Sequence, residues 1–377
     1  MKDIDYCFVY FNGRQEKLYG EKLRAKEFFY GYHHVLSKGF NTKILEFENG
    51  LPSNYFLFKF FKILQKLILK LFKFQYDFAG IIKPINWKVL KNSKNIILTN
   101  NRIAHSLLPF LLYSKITNNS VNLVVIAMGL FNSSSDKKFI LRIHKTLHKF
   151  MIRNVDKLIF IGEPEFQHAL IEFPKYKQKL EFIPFGVDID FWKSTENNFY
   201  KKDYILFIGN DSNRDYEFLK LLINNIKNKD FIIVSENKDL QNISNNNVKV
   251  LKGSWNKDII EDVFLRDLYS NAKLTIVPLK ESLQPSGQSV SLQSMSTQTP
   301  VIITKTKGFW KNVDFKHLDN IYFTKTNNID EWSAAINLIY DNNKIAEQLS
   351  KNAKKLVDEK FSLENYNKKL FKLNEEY

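Results

Sequence analysis

The chain has 377 residues, 44% of them apolar, a formal net charge of +16 and one cysteine, Cys7. That length suits about two α/β domains, and that apolar share excludes a globally disordered chain. A lone thiol inside the run Tyr6-Cys7-Phe8-Val9-Tyr10-Phe11 excludes an intramolecular disulfide framework and fits a reducing compartment.

Asp3 and Asp5 stand where a signal peptide carries positive charge, and nowhere do about 18 apolar residues run uninterrupted. The expectation is a cytoplasmic protein without a transmembrane helix. The basic charge fits nucleic acid, an anionic membrane or an anionic substrate, and lysine-rich codon usage produces it too, so its placement has to decide.

In chain order, Tyr6–Phe11 reads as a strand, followed by a loop at Asn12-Gly13. A long helix is expected from about Glu16 to Ser37, including His33 and His34, then a strand over Thr42–Phe47. Tyr55 to Phe74 forms a helix in which Lys59, Lys62, Lys66, Lys70 and Lys73 fall within a stripe about 80° wide. The rest of its circumference, with Phe60, Phe61, Leu64, Leu67 and Leu71, is apolar apart from Gln65. That is the pattern of an interfacial helix, apolar rings in the acyl boundary and lysines at the headgroups. A core helix with a solvated face is the alternative.

Next come a strand Asn95–Thr99, a helix from about Ala104, a strand Leu123–Ile126, a basic helix from Lys137 to Asn154 and a strand Lys157–Ile161. On the basic helix Lys138, Arg142, Lys145, Lys149 and Arg153 face one way. Phe139, Ile143, Leu147, Phe150 and Met151 largely face the other. Asp190–Asp203 is polar and aperiodic and reads as a linker. A second alternation follows, with strands Tyr204–Ile208, Phe231–Val234, Val248–Leu251, Leu274–Val277 and Val301–Thr304. Helices are expected over Ile329–Asn343, Lys344–Glu359 and Ser362–Glu376. Strands separated by helices predict parallel, doubly wound sheets, which bind ligands at the carboxyl ends of their strands.

The stretch from Val277 to Met295 carries the chemistry. A strand gives way to a polar turn, and a helix opens near Ser286-Gly287, where glycine admits a close ligand and free N–H groups suit a phosphate. Val290, Leu292 and Met295 are expected to be buried, with Gln293 toward a cleft. An ordinary helix capped by Ser286 is the alternative.

Three runs, in this order, resemble the retaining glycosyltransferase family 4. They are Glu181-Phe182-Ile183-Pro184-Phe185-Gly186-Val187-Asp188-Ile189-Asp190-Phe191, Ile208-Gly209-Asn210-Asp211-Ser212-Asn213-Arg214-Asp215-Tyr216, and Ser286-Gly287-Gln288 with Leu292-Gln293-Ser294-Met295 and Thr299-Pro300-Val301-Ile302. The resemblance implies the GT-B fold, an α/β architecture of two facing Rossmann-like doubly wound domains with an interdomain cleft. It places an acceptor domain over 1–190, a linker over 191–203, a nucleotide-sugar domain over 204–360, and a helix over 361–377 that can cross back.

It further implies a metal-independent transfer in which the diphosphate leaves and the sugar keeps its anomeric configuration, with no cofactor beyond the nucleotide-sugar co-substrate. Donor contacts would come from Gly209, Asn213, Arg214, Glu281, Ser286, Gly287, Gln288, Ser289 and Gln293. Arg214 would clasp the diphosphate as a guanidinium can, a surface ion pair being the alternative. The sequence departs from the family in three places. Pro285 and Gln293 stand where many relatives carry two glutamates, and Asn210 and Asp215 stand where they carry Arg and Lys. Glu281 is the substitute for the first carboxylate. Family members place a histidine after an N-domain strand, where this chain has Ala127-Met128-Gly129, so His105 is offered as the substitute acceptor-side residue, a satisfied structural histidine being the alternative. Asp188 and Asp190 read as structural, and no metal site is expected.

These readings combine into a glycosyltransferase expected to move a hexose from a UDP-sugar to a membrane lipid such as diacylglycerol. It would lie peripherally on the inner face of the cell membrane, on an anionic surface, with no nucleic-acid partner. Transfer to a polyprenyl-linked saccharide or lipopolysaccharide core is one alternative, and a non-catalytic membrane- or sugar-binding relative is another.

Overall fold

A computed structural model of the chain describes residues 2–46, 55–74, 84–117, 121–132, 137–195, 202–254 and 259–375. Phe47 of the second expected strand, 196–201 of the expected linker and Glu376 of the last expected helix lie outside them. The chain divides into two compact units. One comprises Met1–Tyr19 with Phe29–Ile183, the other Gly20–Phe28 with Pro184–Tyr377.

The first unit is built on six strands, β1 (Ile4–Tyr10), β2 (Thr42–Glu46), β3 (Ser93–Leu98), β4 (Asn122–Ala127), β5 (Lys157–Phe160) and β6 (Leu180–Phe182). They form one parallel sheet in the order β2-β1-β3-β4-β5-β6. Its central strands are continuous apolar runs, as burial on both faces requires, and Cys7 lies fully buried among them. The strand order reverses between β1 and β3, the switch point of this sheet.

The second unit repeats the plan with β7 (Tyr204–Ile208), β8 (Asp230–Val234), β9 (Val248–Leu251), β10 (Ala272–Val277), β11 (Val301–Thr304) and β12 (Tyr322–Thr324). Its parallel order is β12-β11-β10-β7-β8-β9, so the switch point falls between β7 and β10. Helices Tyr216–Asn225 and Ile329–Tyr340 cover this sheet with Phe218, Leu222, Trp332 and Ile336. β6 and β12, three residues each, were not expected, being too short to show a period.

The expected helix from Glu16 to Ser37 is broken. A helix occupies Arg14–Tyr19, a 3-10 turn Glu27–Phe29 and a second helix Tyr32–Ser37. Tyr30 and Gly31 take positive φ (48° and 93°), which no helix continues through. The intervening Gly20–Phe28 belongs to the second unit, so tertiary packing overrides the local helical pattern.

The run before the expected linker is likewise part of the second unit. Val187 N donates to Phe361 O (2.9 Å) and Leu363 N to Val187 O (2.7 Å). These bonds seat Gly186 against the start of the last helix, Leu363–Glu375. A Cβ at Gly186 would stand 2.6 Å from Ser362 O and 2.7 Å from Tyr366 Cβ. Gly186→Ala is therefore expected to destabilise the second unit by about 1–3 kcal/mol, the usual cost of overpacking, measured as a lower denaturation midpoint.

Candidate functional site

β7 ends at Ile208, and the chain turns through Gly209 into a loop stitched to its neighbours. Gly209 N donates to Val234 O (3.1 Å), and Ser235 Oγ donates to Gly209 O (2.7 Å). Asn210 accepts from Glu236 N (2.6 Å) and donates to Gly253 O (2.7 Å), so it braces the loop. Asp215 caps helix Tyr216–Asn225 by accepting from Phe218 N (3.1 Å). Both departures from the family's cations therefore have structural work in this loop. Arg214 bridges Leu279 and Asp215 N donates to Pro278 O (3.0 Å), which fastens the loop to the end of β10.

This places Arg214 at the switch point with its side chain folded back over Gly209. A Cβ at Gly209 would meet Arg214 Nε at 2.6 Å, so the glycine makes room for the guanidinium. Arg214 is only 3% exposed. Its Nη1 lies 3.2 Å from Asp211 Oδ2, yet among the described residues neither Nε nor Nη1 has a hydrogen-bond acceptor. A buried cation whose donors lack acceptors is costly, about 1–3 kcal/mol per unmet group or more, and is the arrangement an incoming anion satisfies.

Beside it begins the helix Gln288–Ser296. Its N-cap is Gly287, at φ 76°, with no side-chain cap. Ser286 does not cap; its Oγ instead accepts from Asn213 Nδ2 (2.7 Å), linking the two loops. A Cβ at Gly287 would stand 2.7 Å from Val277 Cγ1 and 3.6 Å from Arg214 Nη1. Only glycine fits, and the uncapped N–H groups of this first turn start next to the guanidinium. Gly209, Asn213, Arg214, Ser286, Gly287, Gln288 and Ser289 thus come together. Glu281 is exposed, with Oε1 accepting from Lys307 N (2.9 Å).

Val290, Leu292 and Met295 are buried as expected, and Gln293, expected toward a cleft, is buried too, with its amide engaged at both ends. Tyr269 OH donates to Gln293 Oε1 (3.2 Å), and Gln293 Nε2 donates to Glu27 Oε1 (2.8 Å). The same Glu27 oxygen accepts from Trp192 Nε1 (2.7 Å). Glu27 is fully buried, and its Oε2 has no partner among the described residues. Sequence reading passed over Glu27 as part of a helix. The one signal was an acid set directly before Phe28-Phe29-Tyr30.

Burial pushes the Glu27 carboxyl up to about 7, against the hydrogen bonds from Gln293 and Trp192 that favour its charged form. A carboxyl raised in the folded state holds its proton more tightly there, so its contribution to stability is lost as pH rises from the ordinary carboxyl range through about 7. Glu27→Gln, nearly isosteric and uncharged, escapes that loss. Its stability relative to wild type is expected to be similar at pH 5 and to gain up to about 3 kcal/mol by pH 8, read by denaturant titration at both pH values.

In the first unit, Asn12-Gly13 and Asn101–Ser106 follow the ends of β1 and β3, with Gly13 at φ 75°. His105 is 1% exposed. Its Nδ1 lies 2.6 Å from Asn101 O, which only accepts, so Nδ1 carries hydrogen, and its Nε2 lies 3.1 Å from His148 Nδ1. Burial lowers its pKa to about 4. Both ring nitrogens are spent within the fold, which is the arrangement of a structural histidine. His148 and His144 lie on the buried side of the basic helix Lys138–Asn154 with Ile140 and Met151. Phe139, expected on the inward side, is 68% exposed.

The lysine-striped helix spans Tyr55–Phe72, and none of its residues is buried. It ends where Lys73 takes φ 54° and Phe74 turns inward onto His105 and His144. His144 Nε2 lies 2.8 Å from Phe72 O and holds that end. Phe60, Leu67 and Leu71 are exposed large apolar groups, and Lys59, Lys66, Lys70 and Lys73 are exposed as well. Phe61, Lys62 and Leu64 are half-buried. Among the described residues no helix is long and apolar enough to cross a membrane.

Residues 189–356 match the family described as Glycosyl transferases group 1. The fold is that of GT-B glycosyltransferases. HepE from Anabaena in complex with UDP-glucose superposes with a TM-score of 0.68 at 15% identity, over 99% of this chain and 100% of that one. Sucrose-phosphate synthase from Thermosynechococcus elongatus gives 0.70 at 13% identity, over 99% and 98%. A glycosyltransferase from Rickettsia africae gives 0.65 at 14% identity, over 100% and 99%. No curated protein matches the chain by sequence.

Proposed function

Starting from a chain whose second unit carries a group 1 glycosyl transferase domain, we propose that it transfers a hexose from a UDP-sugar to a membrane lipid acceptor such as diacylglycerol, with retention of configuration. The observation that carries the reading is the buried Arg214 guanidinium, with donors unmet, beside the uncapped helix start at Gly287. Both elements offer positive charge and N–H donors to one anion, and a nucleoside diphosphate is the anion such a switch point takes.

In the transfer the bond from the sugar's anomeric carbon to the diphosphate oxygen breaks, and a bond to the acceptor oxygen forms as that hydroxyl passes its proton to the departing diphosphate. Negative charge builds on the departing diphosphate. Arg214 and the first-turn amides after Gly287 lower the barrier by being already oriented toward that charge. Removing one such donor costs about 10²–10³ in rate in comparable sites. Gly287 has to stay glycine because a side chain there would occupy the approach and strain the backbone.

The membrane part of the reading rests on the Tyr55–Phe72 helix. Five lysines near an anionic leaflet supply roughly 5 kcal/mol at best. The exposed Phe56, Phe60, Ile63, Leu67 and Leu71 supply about 1.5–3 kcal/mol each when buried in acyl chains, so apolar insertion dominates and charge selects the surface. A peripheral enzyme held on the inner face of the cell membrane reaches an acceptor whose hydroxyl sits at headgroup depth. The same surface serves a polyprenyl-linked saccharide.

The test is UDP release from a panel of UDP-sugars, with and without liposomes containing diacylglycerol. Lipid-stimulated release with one donor is expected, with Arg214→Ala lowering turnover about 100-fold or more while the fold is kept. Unchanged turnover in that variant removes the phosphate role. Replacing Phe60, Phe61, Leu64, Leu67 and Leu71 with serine is expected to abolish co-sedimentation with anionic liposomes while sparing release of UDP by slow hydrolysis. Retained sedimentation moves the anchor elsewhere.

A further inference from the structure

We propose that Glu27 is a positioning residue of the nucleotide-sugar site, acting through Gln293 to fix which end of its amide the ligand meets. The inference rests on the reading of that site as a nucleotide site and adds to it a residue from the other end of the chain.

A glutamine amide between two partners has two orientations, and Tyr269 tolerates both because a hydroxyl donates and accepts. Glu27 does not. Its Oε1 already accepts from Trp192 Nε1, so the group that faces it from Gln293 has to be the donor. The amide oxygen then turns to Tyr269 OH, as observed. With Oε1 committed to Tyr269 and one N–H to Glu27, the second N–H of Nε2 is what the amide has left to offer. Gln293 stands six residues beyond Gly287, about 9 Å along the helix axis, one nucleoside group past an anion held at the helix start. The site therefore presents an N–H donor, aimed by Glu27, at a hydroxyl oxygen of the nucleotide ribose.

The position of Glu27 is built. Ala25 N donates to Asp262 Oδ2 (3.1 Å), Lys26 N donates to Asp188 Oδ2 (3.3 Å), and Lys22 pairs with Glu261 (2.9 Å). Three acids of the second unit hold the segment that leads into the buried carboxyl. Trp192 also packs edge-on against Tyr269 (centroids 5.7 Å apart), so one indole supports both partners of the amide.

The experiment is calorimetric titration of UDP into the full chain for wild type, Glu27→Leu and Glu27→Gln, with thermal midpoints measured alongside. Glu27→Leu removes the acceptor that Trp192 and Gln293 share and frees the amide orientation. It is expected to bind UDP about 5–10-fold more weakly. Glu27→Gln keeps a carbonyl oxygen at the same place, because Trp192 Nε1 only donates, and is expected to hold UDP affinity within about 2-fold of wild type. Wild-type affinity in Glu27→Leu overturns the inference alone, as does a Glu27→Gln variant as weak as Glu27→Leu, which would mean that the acceptor does not set the amide. A wild type that binds none of UDP, ADP and GDP overturns the nucleotide-sugar reading itself, and the positioning role with it.

Discussion

Burying the Arg214 guanidinium is the constraint on which the second unit's arrangement turns. A cation that is 3% exposed has to be held by rigid backbone, and two glycines make that possible. Gly209 lets the side chain fold back over the end of β7, and Gly287 lets the next helix begin beside it. The bridge from Arg214 to Leu279 and the bond from Asp215 N to Pro278 O then tie the two strand ends together. The sheet order reverses between β7 and β10, so these two strand ends stand at the switch point of the sheet. Topology thus sets the place, and the unmet donors give it a charge preference.

The polar network behind that helix brings an acid to an amide from a distance in sequence. Gln293 stands where the resemblance expects a carboxylate, and a carboxylate is nonetheless present 2.8 Å away, delivered by Glu27. Tyr269 lies between the two charges, with Arg214 acting to lower its pKa and Glu27 to raise it, while burial dominates both. The network is anchored by Trp192, which follows the Asp188 turn: Asp188 accepts from Phe191 N, and its backbone carbonyl from Trp192 N. The acidic pair at Asp188 and Asp190 is thereby accounted for by turn geometry, with Asp190 paired to Lys193 on the surface.

The first unit handles its histidines in a similar economy of hydrogen bonds. Asn101 O fixes the tautomer of His105, His105 orders His148, and Phe74 packs against both and against His144. His144 holds the carbonyl at the end of the lysine-striped helix. Two rows of opposite character therefore meet in one unit, a buried aromatic and imidazole cluster and an apolar helix left open to solvent. The first is satisfied internally, and no residue of the second is buried.

The alternation of apolar runs and helical periods was enough to determine two parallel sheets, since strands buried on both faces have to read as continuous Val, Ile, Leu and Phe. Tyr204–Ile208, Val248–Leu251 and Val301–Thr304 were legible to the residue. So was the opening of a helix next to Ser286-Gly287, because an uncapped turn with glycine has few other uses. The sequence also marked Arg214, but not that it lies buried with donors unmet. Other features were invisible for a physical reason: they depend on partners remote in the chain. The helical pattern from Glu16 to Ser37 is locally consistent, and only packing of Gly20–Phe28 into the second unit breaks it. Glu27 meets Gln293 across 266 positions, a pairing no window of periodicity contains. Local pattern decided where strands and helices form, and tertiary structure decided which acid, which amide and which cation came to share one buried site.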